Sequence, residues 1–106
     1  MEEHSKMYEM LENHYKSIEQ CKKCQSVDIN SNAYMFLLDL VEVNVDFNDF
    51  GKISLLDEEL LIVQSWINKV IGNHNISEKI REEIAISSVD FASMVESINN
   101  SHINTI

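Results

Sequence analysis

The segment from Ser54 to Gly72 decides the fold, and it reads SLLDEELLIVQSWINKVIG. Its apolar residues recur at steps of three and four, which is the period of one face of an α-helix. The stripe consists of Leu56, Leu60, Val63, Ile67 and Val70, broadened by Leu61, Ile62 and Trp66. Ser54 is the expected N-cap, Asp57 completes a shortened capping box, and Gly72 is the expected end. We therefore expect an apolar helix at the centre of the fold.

The residues before this segment predict two further helices. The period of the apolar residues places the first from about residue 3 to about residue 24. The polar interval from Gln25 to Asn32 then supplies Asn30, Ser31 and Asn32 as candidate N-caps. In the next segment, 33–50, the apolar residues of the first half have the spacing of a helix. In the second half, apolar and polar residues alternate as in a strand. We expect a helix to about Val43 and then a loop, because a lone strand has no partner in this chain.

The residues after Gly72 predict a fourth helix that starts at Ser77 and frays over Asn99 to Ile106. The chain has no proline and only two glycines, which favours helices over hairpins and sandwiches. Its 106 residues fit one domain, residues 1–106. The expected fold is an all-α, up-down-up-down antiparallel bundle of about four helices.

Acidic residues dominate the chain, with 18 Asp and Glu against 8 Lys and Arg, a formal net charge of −10. They concentrate between Asp39 and Glu59, where Lys52 is the only base. Such a field steers basic partners and repels nucleic-acid phosphates, although a solvated, solubilising face gives the same pattern. We expect an apolar or aromatic side chain to anchor the partner, either Phe47 or Phe50 in the acidic stretch or Trp66 after it. The candidate partner-binding residues are Asp39, Glu42, Asp46, Phe47, Asp49, Phe50, Asp57, Glu58 and Trp66.

Within the acidic stretch, residues 46–57, DFNDFGKISLLD, resemble an EF-hand calcium loop. The resemblance implies calcium ligands at Asp46, Asn48, Ser54 and Asp57, with Gly51 at the turn. Two positions depart from the pattern, since Phe50 stands where a side-chain oxygen is expected and Asp57 replaces the longer glutamate. The alternative is a glycine turn followed by the Ser54 cap.

Cys21 and Cys24 have the spacing of half a zinc site. Two further ligands are needed, and a regular helix places His14 about 10 Å away along its axis. The alternative is one packed and one exposed thiol, both reduced as in the cytosol. We therefore expect no metal and no cofactor, with these cysteines as the candidates for zinc.

The sequence contains no phosphate-binding glycine loop, no nucleophile elbow and no His-Glu-x-x-His helix, so we expect a binding protein and not an enzyme. The opening residues carry no basic-then-apolar signal, which predicts a cytoplasmic protein. The leading hypothesis is an inhibitor of a basic protein, of the immunity, antitoxin or phage-antagonist kind. Colicin immunity proteins are similar in size, charge and fold class. The alternatives are a calcium sensor and a helical homo-oligomer that buries Leu61 and Ile62.

Overall fold

The computed structural model describes residues 4–20 and 26–104, and the side chains of residues 4–20 and 29–100. This part of the chain is entirely helical apart from its connections, which confirms the predicted fold class. Its four helices are α1 (Lys6–Gln20), α2 (Ser26–Phe50), α3 (Asp57–Ile71) and α4 (Glu78–Asn104). None of these helices combines the length and the hydropathy that crossing a membrane requires.

α1 forms where the apolar period predicts it, and Ser5 caps its first turn. The Ser5 Oγ atom accepts a hydrogen bond from the backbone N–H of Tyr8 at 3.1 Å. The helix buries Leu11 and Ile18 completely, and Tyr15 almost completely. The expected end near residue 24 lies outside the described residues.

α2 is longer than predicted at both ends, and this is the main correction to the expected fold. The expected caps Asn30, Ser31 and Asn32 lie inside the helix, and the expected end at Val43 is passed by a full seven residues, to Phe50. The strand-like alternation over residues 41–47 arises because α2 is apolar on two faces. Its core face consists of Ile29, Ala33, Phe36, Leu40 and Val43, all buried.

Gly51 ends α2. Its φ is +63°, in the left-handed region that favours glycine. Its N–H donates to the carbonyl of Phe47 at 3.0 Å, and the N–H of Lys52 donates to the carbonyl of Asp46 at 2.9 Å. The turn after the helix is therefore encoded locally, whereas the length of the helix before it is not.

α3 ends at Gly72 as predicted, but it begins differently. The N-cap is Leu56, not Ser54, and its side chain has no hydrogen-bond acceptor, so only the half of a capping box that Glu59 supplies is formed, and Asp57 is not its acceptor. Glu59 Oε1 accepts the N–H of Leu56 at 2.9 Å. The Ser54 hydroxyl instead donates to Asp46 Oδ2 at 2.8 Å.

The predicted stripe of α3 is confirmed except at Leu56, whose side chain is exposed. The confirmed members, all buried, are Leu60, Val63, Ile67 and Val70. Leu61 and Ile62, which we expected to broaden the stripe, are exposed as well.

α4 begins after Ser77 as predicted, and Ser77 Oγ accepts the N–H of Ile80 at 3.3 Å. The helical backbone continues through Asn104, beyond the expected start of fraying at Asn99. Its core side chains are Ile84, Phe91, Met94, Val95 and Ile98, and all of them are buried.

The helices alternate in direction along the chain, but neighbours in sequence are not always neighbours in space. α1 packs against α2 and α3, and α4 packs against the same two helices, so α2 and α3 occupy opposite corners. The N–H of Ser77 donates to Asn30 at 2.8 Å, and Asn44 donates to the carbonyl of Ser87 at 3.1 Å. Because residue numbers rise together in these two contacts, α2 and α4 lie side by side and run parallel.

Candidate protein-binding surface

Asp39 does not lie on the surface, which corrects its assignment as a partner-binding residue. It is 4% exposed, and His14 Nδ1 donates to its Oδ2 atom at 2.6 Å. Burial raises the pKa of Asp39, and the hydrogen bond and the charge of His14 act in the opposite direction. The pair connects α1 to α2, a role for His14 that its position in the sequence did not indicate.

Glu59 is a second buried carboxylate, 1% exposed, that the sequence reading did not single out. It accepts the Ser5 hydroxyl at 2.7 Å, the Ser5 N–H at 3.1 Å, the Leu56 N–H at 2.9 Å and His4 Nδ1 at 3.1 Å. Burial alone raises the pKa of Glu59, but these hydrogen bonds outweigh burial and hold the pKa below its usual range. A single carboxylate therefore fastens the start of α1 to the start of α3.

The remaining predicted acidic residues stay at or near the surface. Glu42 and Asp49 are exposed on α2, and Asp57 and Glu58 are exposed in the first turn of α3. Asp46 is half-buried and accepts the Ser54 hydroxyl. The exposed carboxylates are therefore divided between the outer side of α2 and the start of α3.

Only one of the three predicted aromatic anchors is exposed. Phe50 is 76% exposed at the end of α2, whereas Phe47 is half-buried against the core. Trp66 stacks between Tyr8 and Tyr15, with ring centroids 5.2 and 4.9 Å away. Trp66 is thus a partly buried member of an aromatic stack between α1 and α3, and its role as a binding anchor stays a prediction.

The EF-hand resemblance of residues 46–57 does not extend to the local structure. Asp46 and Asn48 lie on helix α2, so residues 46–57 do not form the twelve-residue loop that an EF-hand requires. Among the described residues, no three His, Cys, Asp or Glu side chains cluster in a way that would hold a metal ion. Cys21 and Cys24 lie outside the described residues.

α2 has a second apolar face, which the sequence analysis did not predict as a binding surface. Four side chains one helical turn apart stand 39–49% exposed: Tyr34, Leu38, Val41 and Val45. Two apolar residues on α4, Ile86 and Val89, are 70% and 65% exposed. Between the helices lies a groove of about 260 Å³, lined by Tyr34, Leu38, Val41 and Ile86 together with Leu37, Glu83 and Ser87. We call this the α2–α4 groove.

Carboxylates flank the α2–α4 groove. Glu83 lines it, while Asp90 on α4 and Glu42 on α2 each follow an exposed apolar wall residue by one helical turn. All three are exposed, and none forms an ion pair within the described part of the chain. Lys79, one turn before Glu83, is the base at the opposite end of this face. The lining of the groove is therefore mainly apolar with Glu83 as its one carboxylate, and Glu42 and Asp90 follow its apolar residues along the helices towards Val45.

Asn44 joins the two walls beneath the surface. It is 6% exposed, and its Nδ2 donates to the carbonyl of Ser87, which lines the α2–α4 groove. Its Oδ1 atom has no hydrogen-bond partner among the described residues. The hydrogen bond fixes the register of α2 on α4.

The spacing of apolar residues in the sequence is consistent with this second face. Tyr34, Leu38, Val41 and Val45 follow the steps i, i+4, i+7 and i+11, a helix stripe of its own that is offset from the core stripe. Sequence alone does not say which of two apolar stripes is covered, since that depends on which helices become neighbours.

Comparison with known proteins adds no identity to this geometry, since no protein-family model, no curated protein and no solved structure matches the chain.

Proposed function

We propose that this chain is a small acidic protein that binds a basic protein partner and inhibits or neutralises it, in the manner of immunity proteins, antitoxins and phage-encoded antagonists. One observation carries the proposal: the α2–α4 groove presents a row of apolar side chains to solvent beside unpaired carboxylates. Contiguous exposed apolar surface with a polar rim is typical of protein-interaction sites.

In this proposal, the charged residues set the association rate and the apolar residues set the affinity. The net charge of −10 raises the rate at which a basic partner arrives, and the unpaired carboxylates orient it. Desolvation of the apolar side chains in the groove then supplies most of the bound-state free energy. Phe50, with exposed Asp49 and Glu58 as further acidic contacts, provides a second contact region at the α2–α3 end.

A binding role also accounts for the ionisable residues better than a catalytic role. The carboxylates with altered pKa, Asp39 and Glu59, are held by His14, Ser5 and Leu56 at helix–helix contacts. Neither lines the α2–α4 groove. A general acid or base needs access to a substrate, so these positions support a structural use of both carboxylates.

The test begins with the partner from the organism that encodes this chain. The immobilised protein captures candidates from a native extract, and the basic protein identified by mass spectrometry is then purified and titrated with the intact chain. We expect stoichiometric loss of the partner's activity and an association rate that falls steeply between about 0.05 and 0.5 M NaCl. Unchanged partner activity, or an association rate indifferent to salt, would remove the proposal.

A matched pair of variants assigns the effect to the acidic rim. Glu42→Gln with Asp90→Asn removes two charges beside the α2–α4 groove, whereas Glu9→Gln with Glu96→Gln removes two exposed charges elsewhere on the surface. The first double variant is expected to associate about three to ten times more slowly at low salt, and the control double variant less than twofold. Equal effects would mean that only net charge matters.

A homo-oligomer is the second candidate, because Leu61 and Ile62 on α3 are 61% and 40% exposed. Burial of these two side chains between subunits predicts sedimentation that depends on concentration. Leu61→Lys would then shift the chain to monomer, while a chain that sediments as a monomer throughout would exclude this candidate.

A further inference from the structure

We infer that the α2–α4 groove binds a single amphipathic α-helix of the partner, laid along α2, with apolar residues on one side and lysines or arginines flanking them. This inference rests on the proposed function and specifies the element that the partner contributes.

The length of the apolar row matches a helix of about three turns. Tyr34 to Val45 spans about 16 Å along α2 at the helical rise of about 1.5 Å per residue. A helix that docks in a groove contacts it through residues at i, i+4, i+7 and i+11. The exposed side chains of α2 repeat at those steps, so ridges of one helix can pack into grooves of the other.

The walls exclude recognition by strand addition. Strand addition needs a sheet edge with free backbone N–H and carbonyl groups. Both walls, α2 and α4, are helices whose mid-helix backbone groups are bonded within the helix. Binding here therefore depends on side chains, and Leu37 and Val41 on the α2 wall offer apolar contact.

The charge favours a basic partner over a second copy of this chain. Two copies that met through this face would bring Glu42, Glu83 and Asp90 of one against the same acidic rim of the other, and like charges in an interface are unfavourable. A helix with basic residues flanking its apolar side pairs with this rim instead. Its basic residues should concentrate towards Val45, because Lys79 marks the opposite end.

The probe is a synthetic fluorescein-labelled peptide of about 18 residues, long enough to form a helix on binding. Leucines occupy positions i, i+4, i+7 and i+11, and lysines fill most other positions. One control peptide has the same composition with leucine and lysine alternating, and another has glutamate in place of lysine. Binding to the full chain is measured by fluorescence anisotropy, and peptide helicity by circular dichroism.

Three single variants of the chain locate the binding site. Leu38→Lys and Ile86→Lys each place a charge in a wall of the α2–α4 groove, whereas Met10→Lys places the same charge on the exposed side of α1. All three positions are exposed, so the fold should survive, which circular dichroism verifies. We expect the helical peptide to bind, with about tenfold loss of affinity in either groove variant and less than twofold loss in Met10→Lys.

Several results would overturn the inference. They are tighter or equal binding of the alternating or acidic peptide, equal losses in all three variants, and a chain dimer that Leu38→Lys dissociates. If the helical peptide fails to bind while the natural partner is still inhibited in a salt-dependent way, the helix inference falls and the proposed function stands. If the peptide binds at the groove but no natural partner is inhibited, the inference stands and the proposed function falls.

Discussion

The two buried carboxylates, Asp39 and Glu59, have pKa values shifted in opposite directions. Asp39 has His14 as its hydrogen-bond partner, and burial outweighs that partner, so its pKa is raised. Glu59 accepts four hydrogen bonds, which outweigh burial, so its pKa is lowered. The number of donors around each carboxylate therefore decides how each contributes to stability as the pH changes.

Glu59→Gln tests the lowered pKa. Because the folded pKa lies below the ordinary value of 4.5, the carboxylate stabilises the fold above pH 4.5 and loses this effect as the pH falls through the folded pKa. The variant should lose about 2–4 kcal/mol of unfolding free energy near pH 7 and less near pH 3. Urea unfolding followed by Trp66 fluorescence measures both values. Exposed Glu58→Gln is the control, and a loss independent of pH would contradict the prediction.

Substitutions of Asp39 test a pKa shift in the opposite direction, since the pKa of this carboxyl is raised. Its raised folded pKa gives a contribution that is fully present below the ordinary value of 3.8 and is lost as the pH rises through the folded pKa. Asp39→Asn should therefore gain stability relative to the wild type as the pH rises, whereas Asp39→Ala leaves His14 without its partner and loses about 3–5 kcal/mol. Thermal unfolding across the pH series measures this. A difference between Asp39→Asn and wild type that is flat or moves the other way would refute it; exposed Glu82→Ala should change little.

At the scale of the elements, α2 combines two apolar faces with a sharp stop. Its core face packs inside the bundle, and its second apolar face is exposed beside α4. Gly51 then turns the chain towards α3. Gly51 is the one residue with a positive φ in the described part of the chain, so the end of α2 depends on glycine at this position.

Gly51→Ala and Gly72→Ala form a matched pair that tests the two helix ends. A methyl group at Gly51 meets nothing within 4 Å, so any loss comes from its φ of +63° and should be about 1–2 kcal/mol. Gly72 has a φ of −82°, and a methyl group there meets Asn68 O at an ordinary 3.5 Å. Gly72→Ala should therefore change stability by less than about 0.5 kcal/mol or raise it. Equal losses in urea unfolding would show that backbone conformation is not the cause.

At the scale of the whole molecule, the formal net charge of the chain is −10. Among the described residues, Lys16 and Glu12 form an ion pair at 3.8 Å, but the chain has 18 acidic residues against 8 basic ones. Excess like charge destabilises a compact state through self-repulsion, which salt screens.

The expected consequence is a fold that salt stabilises. Raising NaCl from about 0.02 to 0.5 M should increase the unfolding free energy by about 1 kcal/mol. Thermal unfolding at both salt concentrations measures the change, and an uncharged osmolyte at equal osmolarity controls for general solute effects. A decrease in stability with salt would show that attractive pairs outweigh repulsion.

The sequence by itself determined what depends on near neighbours along the chain. The helical class, the start of α4 at Ser77, the end of α3 at Gly72 and the core stripe from Leu60 to Val70 all follow from periodicity and capping, which act within a few residues. The acidic net charge follows from composition alone.

Only the tertiary structure decided which of these features are buried. It extends α2 to Phe50, places Asp39 against His14, encloses Trp66 between two tyrosines and leaves the second face of α2 uncovered. α1 packs against both α2 and α3, which brings His14 to Asp39 and the two tyrosines to Trp66, and α2 packs beside α4. Burial is set by contacts between residues distant in sequence, and neither periodicity nor charge along one helix specifies its neighbour.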